Sequence, residues 1–300
     1  MSDNNPPGAG RDLNSSAPTA RLHMNTNTLI KRGILFGGMF ALTAPSAMAA
    51  WSFPNGNLLL GFQATGGTGS TVNVFFDLGS AVAVRDNGAQ GVVGNISTDL
   101  VAAFGSNWFN RSDLYFGVVG NLNAAPTTGI GSAAPVNGDP SRTLYVSAPT
   151  IEIGGGALHT GLTSNSLGVA GNNFSGQEAM VRTLNPTGSG AAVLNSSDSV
   201  NWANGWTSWN TVGGSSYSTL SGIQDSFGQG GSINYIDIQR ILATSTGANP
   251  TGTVGSGTWE ATVGIGSDGS IHVIPEPSSA VLAGLAGLAG VLRRRRRSNA

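Results

Sequence analysis

The sequence predicts a mainly β body, an antiparallel sandwich or layered sheet with a few short helices. It sits between an N-terminal signal peptide and a short C-terminal transmembrane helix. Three observations predict this. Apolar residues recur at every second position in several runs, as half-buried strands require. Charged residues are only 10% of the chain, with 46 glycines, against roughly a quarter charged in an average soluble protein. Both ends break that composition, each with an apolar run beside basic residues.

The first element is the leader, residues 24–49. Lys31 and Arg32 form a positive n-region, Gly33 to Thr43 is an apolar stretch of h-region length, and Ala47-Met48-Ala49 is a small-x-small cleavage pattern. Ala47 and Ala49 are the residues read by signal peptidase, and Ala50 becomes the new N-terminus. The Sec machinery and signal peptidase are therefore expected partners; a short core helix is the competing reading. Residues 1–23 are polar, with Pro6, Pro7 and Pro18. They are an extended n-region or precede the true start at Met24, and the second reading is favoured.

The body, residues 50–274, follows. In "NLLLGF" Leu58, Leu60 and Phe62 share a face; in "TVNVFFDLG" Val72, Val74, Phe76 and Leu78 do, and in "DLYFGVVG" Leu114, Phe116 and Val118. Trp259, Ala261, Val263 and Ile265 alternate with polar residues, and Asp268-Gly269, a strong turn pair, precedes "SIHVI". The last two runs predict a hairpin that feeds directly into the tail. "STDLVAAFG" reads as a short helix with a Ser or Thr cap, closing at Gly105. "SGQEAMVRTL" and "INYIDIQRIL" read as helices, although Ile233, Tyr235 and Asp237 of the second also alternate. Stretches 120–141, 185–200, 211–231 and 244–257 read as loops.

The tail is residues 275–297. Pro275, Glu276 and Pro277 precede the uncharged run Ser278 to Leu292, fifteen residues, about 22 Å as a helix at 1.5 Å per residue. A bilayer core is about 30 Å thick, so the span is short, and arginine stems extend its reach. Arg293, Arg294, Arg295, Arg296 and Arg297 follow. Basic flanks stay on the cytoplasmic side, which agrees with a leader that sends the body outward. Proline cannot donate a backbone hydrogen bond and extends the residue before it, so Ile274 to Pro277 is expected to be an extended connector.

"VIPEP", a small-residue apolar run and an arginine cluster, in that order, resemble the PEP-CTERM sorting signal of Gram-negative bacteria. The resemblance implies that Pro275, Glu276 and Pro277 are the recognition motif. It implies that Arg293 to Arg297 retain the tail in the membrane and that an exosortase, a membrane protease of transpeptidase type, processes it. Such proteins tend to accompany exopolysaccharide and biofilm formation. The expected course is export, transient inner-membrane anchoring with the body in the periplasm, and a final site at the cell surface or beyond it. Asn57 through Val119 is similar to other PEP-CTERM proteins and implies no chemistry.

Chemistry is sparse in the body. Five arginines face twelve acidic residues between 50 and 274, about −7 net, which opposes nucleic-acid binding. There is no cysteine, so no disulfide, thiolate metal site or cysteine nucleophile is expected. His159 and His272 are the histidines behind the leader, and neither has metal-ligand spacing. No G-x-S-x-G elbow occurs, and Gly264, Gly266 and Gly269 precede a strand where a dinucleotide site needs a helix. No catalytic residue, cofactor or metal is expected. Trp202, Trp206 and Trp209 stand at i, i+4 and i+7, one face if helical. They read first as core and second as an exposed platform for sugar rings. The expectation is a non-enzymatic surface or extracellular-matrix protein associated with exopolysaccharide. A carbohydrate-binding module is the alternative, and a secreted glycan hydrolase stands below it.

Overall fold

The computed structural model describes residues 51, 53–87, 91–122, 139, 143–159, 162, 164–209, 220, 222–242 and 257–276. All the described residues lie in one compact unit, within Ala47–Ala300. The strands are β1 (Asn57–Ala64), β2 (Val72–Ser80), β3 (Gly91–Asn95), β4 (Leu114–Asn121), β5 (Leu144–Thr150), β6 (Ala191–Asn195), β7 (Gln224–Ser226), β8 (Ile233–Ile241), β9 (Thr258–Gly266) and β10 (Ser270–Pro275). The helices are α1 (Ala81–Asn87), α2 (Ser97–Phe104), α3 (Ser164–Val181), α4 (Ser199–Trp202) and α5 (Trp206–Trp209).

All ten strands join one antiparallel sheet in the order β3-β10-β9-β8-β5-β4-β1-β2-β6, with β7 also paired to β4. It is a single curled sheet rather than the two sheets of a sandwich. β5 and β7 share one edge of β4: β7 pairs with Tyr115–Gly117 and β5 with Val119–Asn121. Ser147 fills the fork, accepting the Val118 N–H at 2.7 Å and donating to the Ile223 carbonyl at 2.5 Å.

The predicted strand faces are buried as their alternation requires. Leu58, Leu60, Phe62, Val74, Phe76, Leu78, Leu114, Phe116 and Val118 belong to one core cluster, which α1, α2 and a 3-10 turn at Trp108–Asn110 complete. α1 packs against β2 and also against β9 and β10, so the sheet curls around this inner core. The second face, expected to be solvated, is buried as well. Leu59, Phe75, Val119, Leu144 and Val146 pack beneath Leu167, Ala170 and Phe174 of α3 and beneath Trp206.

Four expectations are corrected. "INYIDIQRIL" is strand β8, paired along its length with β5 and β9; its alternation outweighs its helical reading because both flanks are hydrogen-bonded. The loop stretches 185–200 and 211–231 contain β6 and β7. α2 begins after Ile96 with no side-chain cap; the Ser97 N–H instead donates to the Asn95 side chain at 3.0 Å. α3 starts eleven residues before "SGQEAM", running eighteen residues through Gly168, Gly171 and Gly176. Packing overrides the poor helix propensity of glycine: Asn121 of β4 donates to the Gly171 carbonyl and to Ser175, each at 2.9 Å.

Trp259 is a further departure. The β8–β9 register shifts between Ile238, opposite Ala261, and Gln239, opposite Trp259, which leaves Glu260 as an extra residue. Such a bulge turns the following side chains over. Trp259 therefore lies on the outer face, against Gly154, and donates to the Ala261 carbonyl at 2.9 Å. Its partners in the alternation, Ala261, Val263 and Ile265, stay inside.

Candidate functional site at the end of the last strand

β9 and β10 form the expected hairpin, turning at Asp268-Gly269, where Gly269 has φ +78° and a side chain would strike Ser97 at 2.5 Å. β10 then runs into the Pro-Glu-Pro segment. Pro275 is its last residue and stands opposite Ala261, and the Glu276 N–H donates to the Glu260 carbonyl at 3.0 Å. The extended geometry expected of Ile274 to Pro277 is present through Glu276, as part of the sheet rather than as a connector. Among the described residues β3 pairs with Ser270–Val273, and β9 alone pairs with Ile274 and Pro275. Pro275 falls where its missing N–H deprives β9 of nothing, the placement proline tolerates in a sheet.

Beneath this strand end lies a buried ionic cluster. The Arg240 Nε is 2.9 Å from the Glu260 carboxylate, an ion pair without hydrogen-bond alignment. Arg240 also reaches Asp139 at 3.1 Å, and Arg85 of α1 reaches the other Asp139 oxygen at 2.6 Å. Tyr145 of β5 donates its hydroxyl to Asp139 at 2.7 Å. Asp139 is fully buried; two guanidinium groups and a phenol repay its desolvation. Burial pushes the Tyr145 hydroxyl well above its ordinary range, and Asp139 adds to that. Burial also pushes Glu260 up to about 7; Arg240 opposes the shift and the nearby Glu276 carboxylate reinforces it. Chemically the cluster locks α1, β5, β8 and β9 together under the motif. Both Asp139 oxygens are occupied, so Asp139 itself is spent on holding these elements together. The sequence signals for it were faint: Arg240 and Glu260 are charges inside otherwise apolar strands, and Arg85 and Asp139 are far away in the chain.

His159 lies in a glycine-rich strap across the outer face, its Nε2 2.8 Å from the Ser147 carbonyl and its N–H on Gln239 at 2.8 Å. Burial lowers its pKa. Buried Asp237 accepts the Gly154 and Gly156 N–H groups at 3.1 and 2.7 Å, and Gly154 has φ +72°. The glycines thus serve the strap. His272 is 2.9 Å from Ser270 Oγ, which donates to Asp268 at 2.5 Å. The serine stands between acid and base, whereas a catalytic triad needs the histidine there.

The tryptophans do not form an exposed platform. α4 and α5 are separate four-residue helices, broken at Ala203–Gly205. Trp206 is fully buried over Gly61, donating to Gln224 at 2.8 Å, and Trp202 and Trp209 are half-buried against the same core. Gly205 and the Asn–Ser–Thr composition disfavour one continuous helix. A small cleft of about 80 Å³ lies between Ile151, Gln229, Gly230 and Tyr235.

Ala47, Ala49 and Ala50, Pro277, and Arg293, Arg294, Arg295, Arg296 and Arg297 lie outside the described residues. Among the described residues no group of three or more His, Cys, Asp or Glu could hold a metal, and no helix is long and apolar enough to cross a membrane.

Residues 273–297 match the family model described as the PEP-CTERM protein-sorting motif. No match is found among curated proteins or among solved structures. The match begins at Val273, inside β10, so the signal starts within the folded sheet. The chain carries a C-terminal PEP-CTERM sorting motif, which marks it as an exported exosortase substrate, anchored transiently in the membrane.

Proposed function

We propose that this chain is a non-enzymatic surface or extracellular-matrix protein of an exopolysaccharide-producing bacterium, delivered by its tail. In this reading the signal peptide is removed ahead of Ala50 and the body folds in the periplasm. The short apolar run and Arg293 to Arg297 hold it at the inner membrane until the exosortase acts at Pro275 to Pro277. The match to the sorting motif at residues 273–297 carries the proposal. A non-catalytic body is supported by the way its polar groups are spent: Asp139, Asp237 and His159 each hold neighbouring segments together.

Two variants test it. A charged residue at the bilayer centre costs about 3 kcal/mol on insertion scales, so replacing all five arginines with serine should let uncut protein, tail included, pass the inner membrane. Replacing Pro275, Glu276 and Pro277 with alanine should leave uncut protein anchored there. Mass spectrometry of membrane and released fractions reads both. If both variants are trimmed and released like the parent, the sorting reading fails.

A further inference from the structure

We propose that the folded body withholds its own sorting motif: the end of β10 must come away from β9 before the processing enzyme can act. This rests on the exosortase reading above. Pro275 and Glu276 are not on a linker. One is the last residue of a strand, and the other is tied by its N–H to the Glu260 carbonyl at 3.0 Å.

Two physical arguments favour release. Enzymes that bind an extended peptide segment do so by hydrogen bonds along its backbone edge and by pockets for its side chains. Here β9 already occupies one edge of Ile274 to Glu276. The apolar run begins at Ser278, two residues beyond Glu276, a reach of about 7 Å at most. On the sorting reading only Pro277 lies between Glu276 and the apolar run, so an enzyme working at the membrane meets the motif still docked.

The end is built to open locally. Among the described residues β3 pairs no further than Val273, and β9 is the strand that Ile274 and Pro275 must leave. Each ladder hydrogen bond favours the closed form by roughly fivefold, so opening the last three residues, which breaks two or three such bonds, is a fluctuation of about one part in twenty-five to one in a hundred. The bulge at Glu260 and the ion pair from Arg240 fix the acceptor in place; Arg240 and Glu260 are positioning residues for the closed state.

The test uses the full chain incubated with membranes that contain the exosortase. The protein has no cysteine, so Thr262→Cys with Ile274→Cys, which face each other across the ladder, introduces a single disulfide. Oxidised protein is expected to be trimmed at least tenfold more slowly than the same protein reduced. Equal rates in the two states, with the parent trimmed normally, overturn this inference and leave the sorting reading standing. A parent that is never trimmed removes both. Should the cysteine pair not form its bond, a six-residue Gly-Ser insertion between Ile274 and Pro275 decides: trimming several-fold faster than the parent supports release, and trimming no faster overturns it.

Discussion

The ring of Phe76 in β2 presses on the backbone of Gly94 in β3, although the two strands stand eighth and first in the sheet order and share no ladder. A side chain at Gly94 would begin 2.4 Å from the Phe76 ring. The contact spans the inner core and brings the two ends of the sheet together.

Gly94→Ala should therefore destabilise the body by about 1–3 kcal/mol, the usual cost of overpacking. Phe76→Leu in the same molecule should recover part of that loss, because the two changes share one contact. Urea unfolding of the single and double variants gives the coupling. Additive losses would mean that the strands do not meet.

Trp206 is the largest fully buried side chain, crowded against Gly61 and Gly117. Trp206→Ala should cost about 3–5 kcal/mol. Trp206→Phe should cost less, since Gln224 keeps the Gln63 amide at 2.7 Å. Soluble glycans should not protect this tryptophan from modification in the folded protein beyond the protection the fold already gives, and glycan-dependent protection at Trp206 would contradict its burial.

Glu178 and Glu260 give the body a pH dependence of definite sign. Burial pushes each up to about 7 from an ordinary value of 4.5, with Arg182 and Arg240 respectively opposing. Both bind a proton more tightly folded than unfolded. Their contribution is complete below pH 4.5 and is lost as pH rises through about 7. The body should unfold at lower urea at pH 8 than at pH 5, by an upper bound of about 3 kcal/mol for each group. Glu260 contributes less because it is less deeply enclosed than Glu178 and solvent screens it. Asp86, Asp113, Asp198 and Asp268 have lowered pKa values and act below that window, whereas His159, lowered from 6.5 by burial, works against the slope as pH falls. Glu178→Gln should flatten the slope, and an unchanged slope would show that Glu178 is ionised throughout.

At the front, the Trp51 N–H donates to the Leu184 carbonyl at 3.3 Å and its ring meets Phe53 edge-on at 5.9 Å. Residue 51 already belongs to the body, so leader cleavage is expected at or within two residues of Ala50. N-terminal sequencing of exported protein checks this, and retention of Met1 or Met24 would overturn it. Lys31 is the only lysine, so amine-reactive reagents should label the mature protein at its new N-terminus alone.

The alternating strands were legible because a strand's two faces are written locally, residue by residue, as at Leu58, Leu60 and Phe62. What escaped depends on distant partners. The Glu260 bulge reverses Trp259 through its pairing with β8. α3 is helical through glycines and asparagines that packing on the sheet and the hydrogen bonds from Asn121 of β4 stabilise. The tail motif was legible as a string, and its first two residues were unreadable as sheet because Glu276 takes its acceptor from Glu260. The Asp139 cluster joins Arg85, Tyr145 and Arg240 across much of the chain, which no spacing rule captures.

The ion pairs have a consequence for what happens after trimming. Arg85, Arg111, Arg182 and Arg240, the four described arginines, are each spent on a carboxylate of the same chain. The carboxylates outnumber them, so the cut body leaves its cationic tail behind and faces its surroundings as a polyanion. Phospholipid headgroups repel such a particle, and so do other copies of it. At low ionic strength the released protein should drift from the membrane that made it and stay dispersed. High salt, or divalent cations bridging its acids to an acidic polymer, would let it settle.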